Sequence, residues 1–249
     1  MSILNAQSFS RRTIMKGAGV VGLGMTASQA GLIRALAQEA TPEASDGEDI
    51  QTIINIAATA ESLAVTLYGY VIQAAREGMY DVAIADVVQG VLVSARAAEQ
   101  FHLEYLLEAG AEPLTQDFTV PDPALLTSTQ TIFDAAVVLE TAFVAAYIAA
   151  GRRFAELGQA DLVRTAMEVA AVEGEHRVLV NYVAGARPAN DVGFASAQFA
   201  TVQEAADAII GLGFIGGDGT AVSYPGPLKV DRGSVTLHTP NGKTLACLA

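Results

Sequence analysis

Apolar residues recur at helical spacing over four long stretches of the chain, and Gly and Pro mark where each stretch ends. The first stretch, from about 48 to 77, is rich in Ala, Ile and Leu, contains no Pro and stops near Gly78. A second helix is predicted over about 81–109, ending at Gly110. The connection between them is only a few residues long, so the two helices should be antiparallel neighbours. Residues 110–127 then carry Gly110, Pro113, Pro121 and Pro123, too many breakers for a helix and too many residues for a tight turn. This segment is read as a long crossover. A third helix is predicted over about 128–157 from a cap at Ser128 or Thr127, and Gly158 separates it from a fourth over about 159–184. Connections in the order short, long, short describe an all-α bundle of four helices with one crossover.

The pattern changes on either side of this block. Past Gly185 come a loop with Pro188, a short amphipathic helix near 201–212 and a Gly- and Pro-rich tail. Ser234 to Leu248 alternates in polarity around Pro240-Asn241-Gly242, which predicts a small C-terminal β-hairpin. Residues 38–47 are small, polar and acidic, as a flexible leader would be. The organisation is therefore an N-terminal segment 1–37, a leader 38–47, a bundle 48–184 and a C-terminal region 185–249 containing the fifth helix and tail.

The segment 1–37 reads as an address. Ser10-Arg11-Arg12-Thr13-Ile14-Met15-Lys16 closely resembles the twin-arginine export motif. Gly17 to Ile33 follows without charge, yet it holds five glycines and is too short and too weakly apolar for a comfortable membrane span. Ala35-Leu36-Ala37 then presents the small-x-small pattern of a signal-peptidase site. An exported protein, periplasmic or extracellular, with no stable membrane insertion after cleavage is expected. An uncleaved anchor is the competing reading.

Composition supports the helical reading: 51% of residues are apolar, Ala is very frequent and Trp is absent. The formal charge of -13 becomes -17 without Arg11, Arg12, Lys16 and Arg34, leaving 10 basic against 27 acidic residues. A body this acidic has no electrostatic footprint for nucleic acid or anionic membranes. The single cysteine, Cys247, excludes an internal disulfide and a Cys-x-x-Cys metal site.

The polar residues inside the four helices are duplicated. Glu61 is followed seven residues later by Tyr68, and Glu140 seven residues later by Tyr147. Each of these helices is succeeded by one bearing Glu-x-x-His, first Glu99 with His102 and then Glu173 with His176. Positions i and i+3 lie about 60° apart on a helix, so one helix can offer both ligands inward. All four glutamates fall within about a turn or two of their helix midpoints, and antiparallel packing brings them to one level. Four carboxylates buried at one depth would cost several kcal/mol each without compensation. Two divalent cations balance them, with two neutral imidazoles completing the inner shell. A lone Glu-x-x-His is ordinarily a solvated salt-bridging pair. Here two of the chain's three histidines occupy the matching positions, and that decides the reading. Glu104, Glu168 and Glu175 are expected to face solvent, as is His238 in the predicted hairpin. The run Gly211 to Gly217 lacks the strand and helix that would make it a phosphate cradle.

Glu followed by Glu-x-x-His, twice over, resembles the ferritin-like di-iron and di-manganese carboxylate proteins across residues 48–184. The export segment and the tail from Gly193-Phe194 resemble the branch that includes exported bacterial proteins and plant desiccation-related proteins. The resemblance implies a centre of two iron or manganese ions held by Glu61, Glu99, His102, Glu140, Glu173 and His176. It further implies that Glu99 and Glu173 bridge while Glu61 and Glu140 are terminal. Tyr68 and Tyr147 would stand beside the metals as hydrogen-bond donors or radical-quenching groups, or serve simply as core tyrosines. The activity implied is oxidation or peroxide chemistry, catalase-, peroxidase- or ferroxidase-like, with peroxide or dioxygen as the small-molecule partner and a role in oxidative or desiccation stress. A non-catalytic bundle braced by metal is the alternative, and metal storage in a closed shell is a third. The sequence leaves homo-oligomerisation open.

Overall fold

The structure, a computed structural model, describes residues 47–226 together with Val235 and Pro240. Four long helices form the body: α1 (Ile50–Arg76), α2 (Asp86–Glu108), α3 (Thr129–Glu156) and α4 (Ala160–Val183). A shorter α5 (Val202–Gly211) follows, and strands β1 (Asp117–Val120) and β2 (Thr220–Ser223) make a two-stranded sheet. α1 packs chiefly on α2 and α3 on α4, while α5 lies against α3 and α1.

Local chemistry sets the helix boundaries. Asp49 caps α1 by accepting from the Thr52 amide at 2.7 Å, and Ser128 caps α3 by accepting from Thr131. α2 and α3 end in glycines with positive φ, Gly110 and Gly158. The amides just beyond them, Ala111 and Gln159, turn back to the carbonyls of Leu106 and Phe154. That pattern satisfies carbonyls the helix end would otherwise orphan, and a side chain at the glycine would strain it.

α2 begins at Asp86 rather than near 81, and the reason lies in Asp81. Its carboxylate accepts from the Thr129 amide at 2.8 Å and the Thr129 hydroxyl at 3.0 Å, so it serves the start of α3. Tyr80 is buried beside it and donates to the Leu125 carbonyl. The crossover likewise holds structure that its breakers conceal. Asp117 to Val120 form β1, which pairs antiparallel with β2 in the register Phe118 to Val222 and Val120 to Thr220. Phe118, Val120 and Val222 are buried, so the strand is held by packing against the bundle as well as by its ladder. The small sheet thus joins the crossover to the tail.

By length and composition alone α1 and α3 are apolar enough to cross a membrane, yet 61% of each one's most apolar window is buried within the bundle. Each also carries a buried glutamate, Glu61 or Glu140. Three apolar clusters fill the body, one around Leu63, Val71, Phe133 and Phe214, a second around Ile53, Ala142, Phe154 and Val202, and a smaller third of Ile54, Ala58, Leu103 and Ala111. Residues 1–46, read from the sequence as an export signal and leader, and the hairpin predicted over 234–248 apart from Val235 and Pro240, with His238 and Cys247, lie outside the described residues.

Candidate metal centre

The six residues picked out by their spacing lie on four helices, and the structure brings all six together. Glu61 comes from α1, Glu99 and His102 from α2, Glu140 from α3, and Glu173 and His176 from α4. The four glutamates are at most 3% exposed, and Glu99 and Glu173 are wholly buried. His102 Nδ1 lies 3.2 Å from Glu173 Oε1, 3.3 Å from Glu99 Oε2 and 3.6 Å from Glu61 Oε2. His176 Nδ1 lies 2.8 Å from Glu99 Oε1, 3.3 Å from Glu173 Oε2 and 4.0 Å from Glu140 Oε2.

Two four-residue groups result, each compact enough for its ligand atoms to surround one ion: Glu61, Glu99, His102 and Glu173, and Glu99, Glu140, Glu173 and His176. Glu99 and Glu173 belong to both. Each turns one carboxylate oxygen towards His102 and the other towards His176, the disposition of a carboxylate spanning two ions. Glu61 and Glu140 belong to one group each, as terminal ligands would.

The tyrosines cross between the repeats. Tyr68 of α1 donates to Glu140 Oε1 on α3, and Tyr147 of α3 donates to Glu61 Oε1 on α1. Each terminal glutamate is therefore held through Oε1 by the tyrosine of the other repeat, leaving Oε2 turned towards the cluster. The seven-residue spacing within one helix marks these tyrosines without showing that their bonds are exchanged.

Buried polar atoms normally have hydrogen-bond partners. Eight buried side-chain atoms among the described residues have none, and six belong to this cluster: Glu61 Oε2, both Glu99 oxygens, His102 Nδ1, Glu140 Oε2 and Glu173 Oε1. They are carboxylate and imidazole donors converging on one small volume, a set suited to hard or borderline divalent ions. The residues present fit such ions.

Without cations the cluster must gather protons. Burial pushes the Glu61 carboxyl up to about 8 against the opposing pull of His102, and it raises Glu140 well above the carboxylate range, with Glu99 adding to the rise. Burial also raises Glu99, but His176 and His102 outweigh it and hold this carboxyl low. Both imidazoles would be lowered by burial alone, yet the surrounding glutamates, Glu61 foremost at His102 and Glu99 at His176, hold them well above their ordinary value. Tyr68 and Tyr147 are raised by burial and by the glutamates they bond, so they remain donors.

Of the glutamates expected in solvent, Glu175 is exposed; Glu168 is partly covered and pairs with Arg164 at 3.0 Å, and Glu104 is partly covered and accepts from Gln100. One supporting residue goes unmarked by the duplication. Arg177, directly after His176, donates to the Thr141 hydroxyl at 3.0 Å, joining the residues next to His176 and Glu140, and pairs with Asp191. Leu103 stands at the corresponding place after His102, so the repeat gives no signal for it.

A family description, ferritin-like domain, matches residues 49–186, more than half of the chain. No curated protein and no solved structure gives a match.

Proposed function

Because the chain belongs to the ferritin-like domain family, we propose that it binds two iron or two manganese ions through Glu61, Glu99, His102, Glu140, Glu173 and His176 and reacts with peroxide or dioxygen as an exported protein of oxidative or desiccation stress. The observation that carries this reading is the convergence of six unpartnered donor atoms on one buried volume, with Glu99 and Glu173 common to both groups. A bound pair of such ions supplies cycling between two oxidation levels and a Lewis-acidic face for an oxidant.

The chain's own residues supply the rest. Glu99 and Glu173 belong to both groups, so each would offer one carboxylate oxygen to either ion. Tyr68 and Tyr147 orient the terminal glutamates, and a partner that orients a ligand ordinarily contributes 10- to 100-fold, roughly, in metal affinity. Burial excludes bulk water, which strengthens every charge interaction at the centre.

The twin-arginine pattern at Ser10 to Lys16 supports export in the folded state. Folding around the metals before export would let the cytoplasm choose them, where raw affinity would otherwise favour copper or zinc.

Metal analysis of protein isolated from its native host tests the centre: about two iron or manganese ions per chain are expected, and Glu99→Ala combined with Glu173→Ala should abolish them. Peroxide consumption, oxygen uptake and ferrous oxidation by the loaded protein test the chemistry. Two bound ions with none of these activities would replace the enzyme by a bundle that metal merely braces.

A further inference from the structure

The two halves of the centre are alike in their ligands and unlike in what surrounds them. A cavity of about 700 Å³ reaches Glu61, His102 and Tyr147. The space beside Tyr68 and Glu140 measures only about 50 Å³. Leu92, Leu125, Phe133, Leu139 and Phe214 border the smaller space, and Ala57, Ala60 and Ala146 are among the residues that border the larger one.

The lining fixes the cavity's shape. It runs along α1 from Ile50 to Glu61 and along α3 from Phe143 to Phe154, a rise of about 16 Å in each case. α5 covers its flank through Val202, Ala205 and Ile209, and Pro240 also borders it. The cavity is therefore elongated along the bundle, with the carboxylate cluster at its inner end and Asp49, Gln51, Glu108 and Gln159 at its outer end. Among the described residues no Lys or Arg lines it, and both ends carry acidic side chains, which disfavours an anionic occupant. Organic ligands typically occupy about 300–1,000 Å³, whereas a water-sized molecule needs only about 30 Å³. Peroxide and dioxygen leave such a space unexplained.

We propose that this cavity binds a neutral, chain-shaped apolar molecule, in class a long-chain alcohol, aldehyde or alkane, with one end against His102 and Tyr147. The di-metal reading is needed only to say what that end meets; binding itself rests on the cavity.

The test uses the full chain, metal-free and Mn²⁺-loaded, with 1-dodecanol as probe and dodecanoate as its anionic counterpart. Calorimetry should show saturable binding of one dodecanol per chain, with dodecanoate weaker by about tenfold or more. Ala57→Leu and Ala206→Leu each narrow the cavity at a partly covered helical position, and each should weaken dodecanol by about tenfold or more with metal content and helicity unchanged. In the loaded protein, Mn²⁺ should broaden the dodecanol proton signals progressively towards one end of the chain. Absence of saturable binding by the full chain overturns the proposal, as does binding that both leucine variants leave intact or that favours dodecanoate. Dodecanol binding without metal uptake would refute the metal centre and support the cavity site; metal uptake without dodecanol binding would do the reverse.

Discussion

Loading the centre with metal should expel about four protons per chain at neutral pH. The groups concerned are His102 and His176, both held protonated by the glutamates around them, Glu140, raised well above the carboxylate range by burial, and Glu61, raised to about 8. Four protons leave as two divalent ions enter, so the net charge of the buried volume is unchanged, the condition a low-dielectric interior imposes. Two protons per ion imply that each unit of pH changes the apparent affinity of each ion by about 100-fold, or about 2.7 kcal/mol. Above pH 8 Glu61 has already ionised, and release should fall towards about three. Calorimetric titration of the metal-free chain with Mn²⁺, repeated in buffers of different ionisation enthalpy, counts the protons directly. Uptake of two ions with release of fewer than about two protons would refute the reasoning, because the metal-free cluster would then have to tolerate its charges unneutralised.

The same protonation sets the stability of the metal-free protein. Glu61, Glu140, His102 and His176 all have folded values above their unfolded ones, so the folded state binds more protons and stability falls as pH rises. For Glu61 the loss spans pH 4.5 to about 8, and the melting temperature of metal-free protein should drop by roughly 5 °C or more across it. Glu99 has the opposite sign, but its contribution is lost only in acid below the ordinary carboxylate value. Metal-loaded protein, followed by circular dichroism, should not show the drop. Tyr147→Phe strips Glu61 Oε1 of its donor and should weaken one ion by roughly 10- to 100-fold in equilibrium metal competition, with Tyr68→Phe doing the same to the other through Glu140. Leu63→Ala, at a fully buried position of α1, should cost about 2–5 kcal/mol in denaturant titration without changing metal stoichiometry.

The helices and the six cluster residues were legible because each is signalled locally. Glycine ends, long apolar periodicity and a polar pattern repeated in order depend on nothing beyond the chain's own neighbourhood. Features joining distant segments were not. Asp81 reads as the start of a helix until Thr129 is seen beside it. Phe118 to Val120 is hidden among breakers, and its partner strand lies some hundred residues further on. The tyrosines were visible as a repeat, but their exchange across it follows only from packing. The large cavity is likewise a property of the assembled bundle, since the alanines facing it are indistinguishable in sequence from alanines of the core.

The duplication has a consequence for folding as well as chemistry. Neither half contains a complete group: the one built on Glu61, Glu99 and His102 requires Glu173, and the one built on Glu140, Glu173 and His176 requires Glu99. The tyrosine bonds cross in the same sense, so docking α3 and α4 onto α1 and α2 completes both ion positions and both supporting bonds together. Binding that requires the assembled state stabilises it by mass action. The cluster would therefore act as a fastening between the repeats, through metal where ions bind and through protonated carboxyl and imidazole groups where they do not. Because protons neutralise it only at lower pH, the metal-free fastening should weaken as pH rises, while a metal-bound one should grow stronger over the same interval.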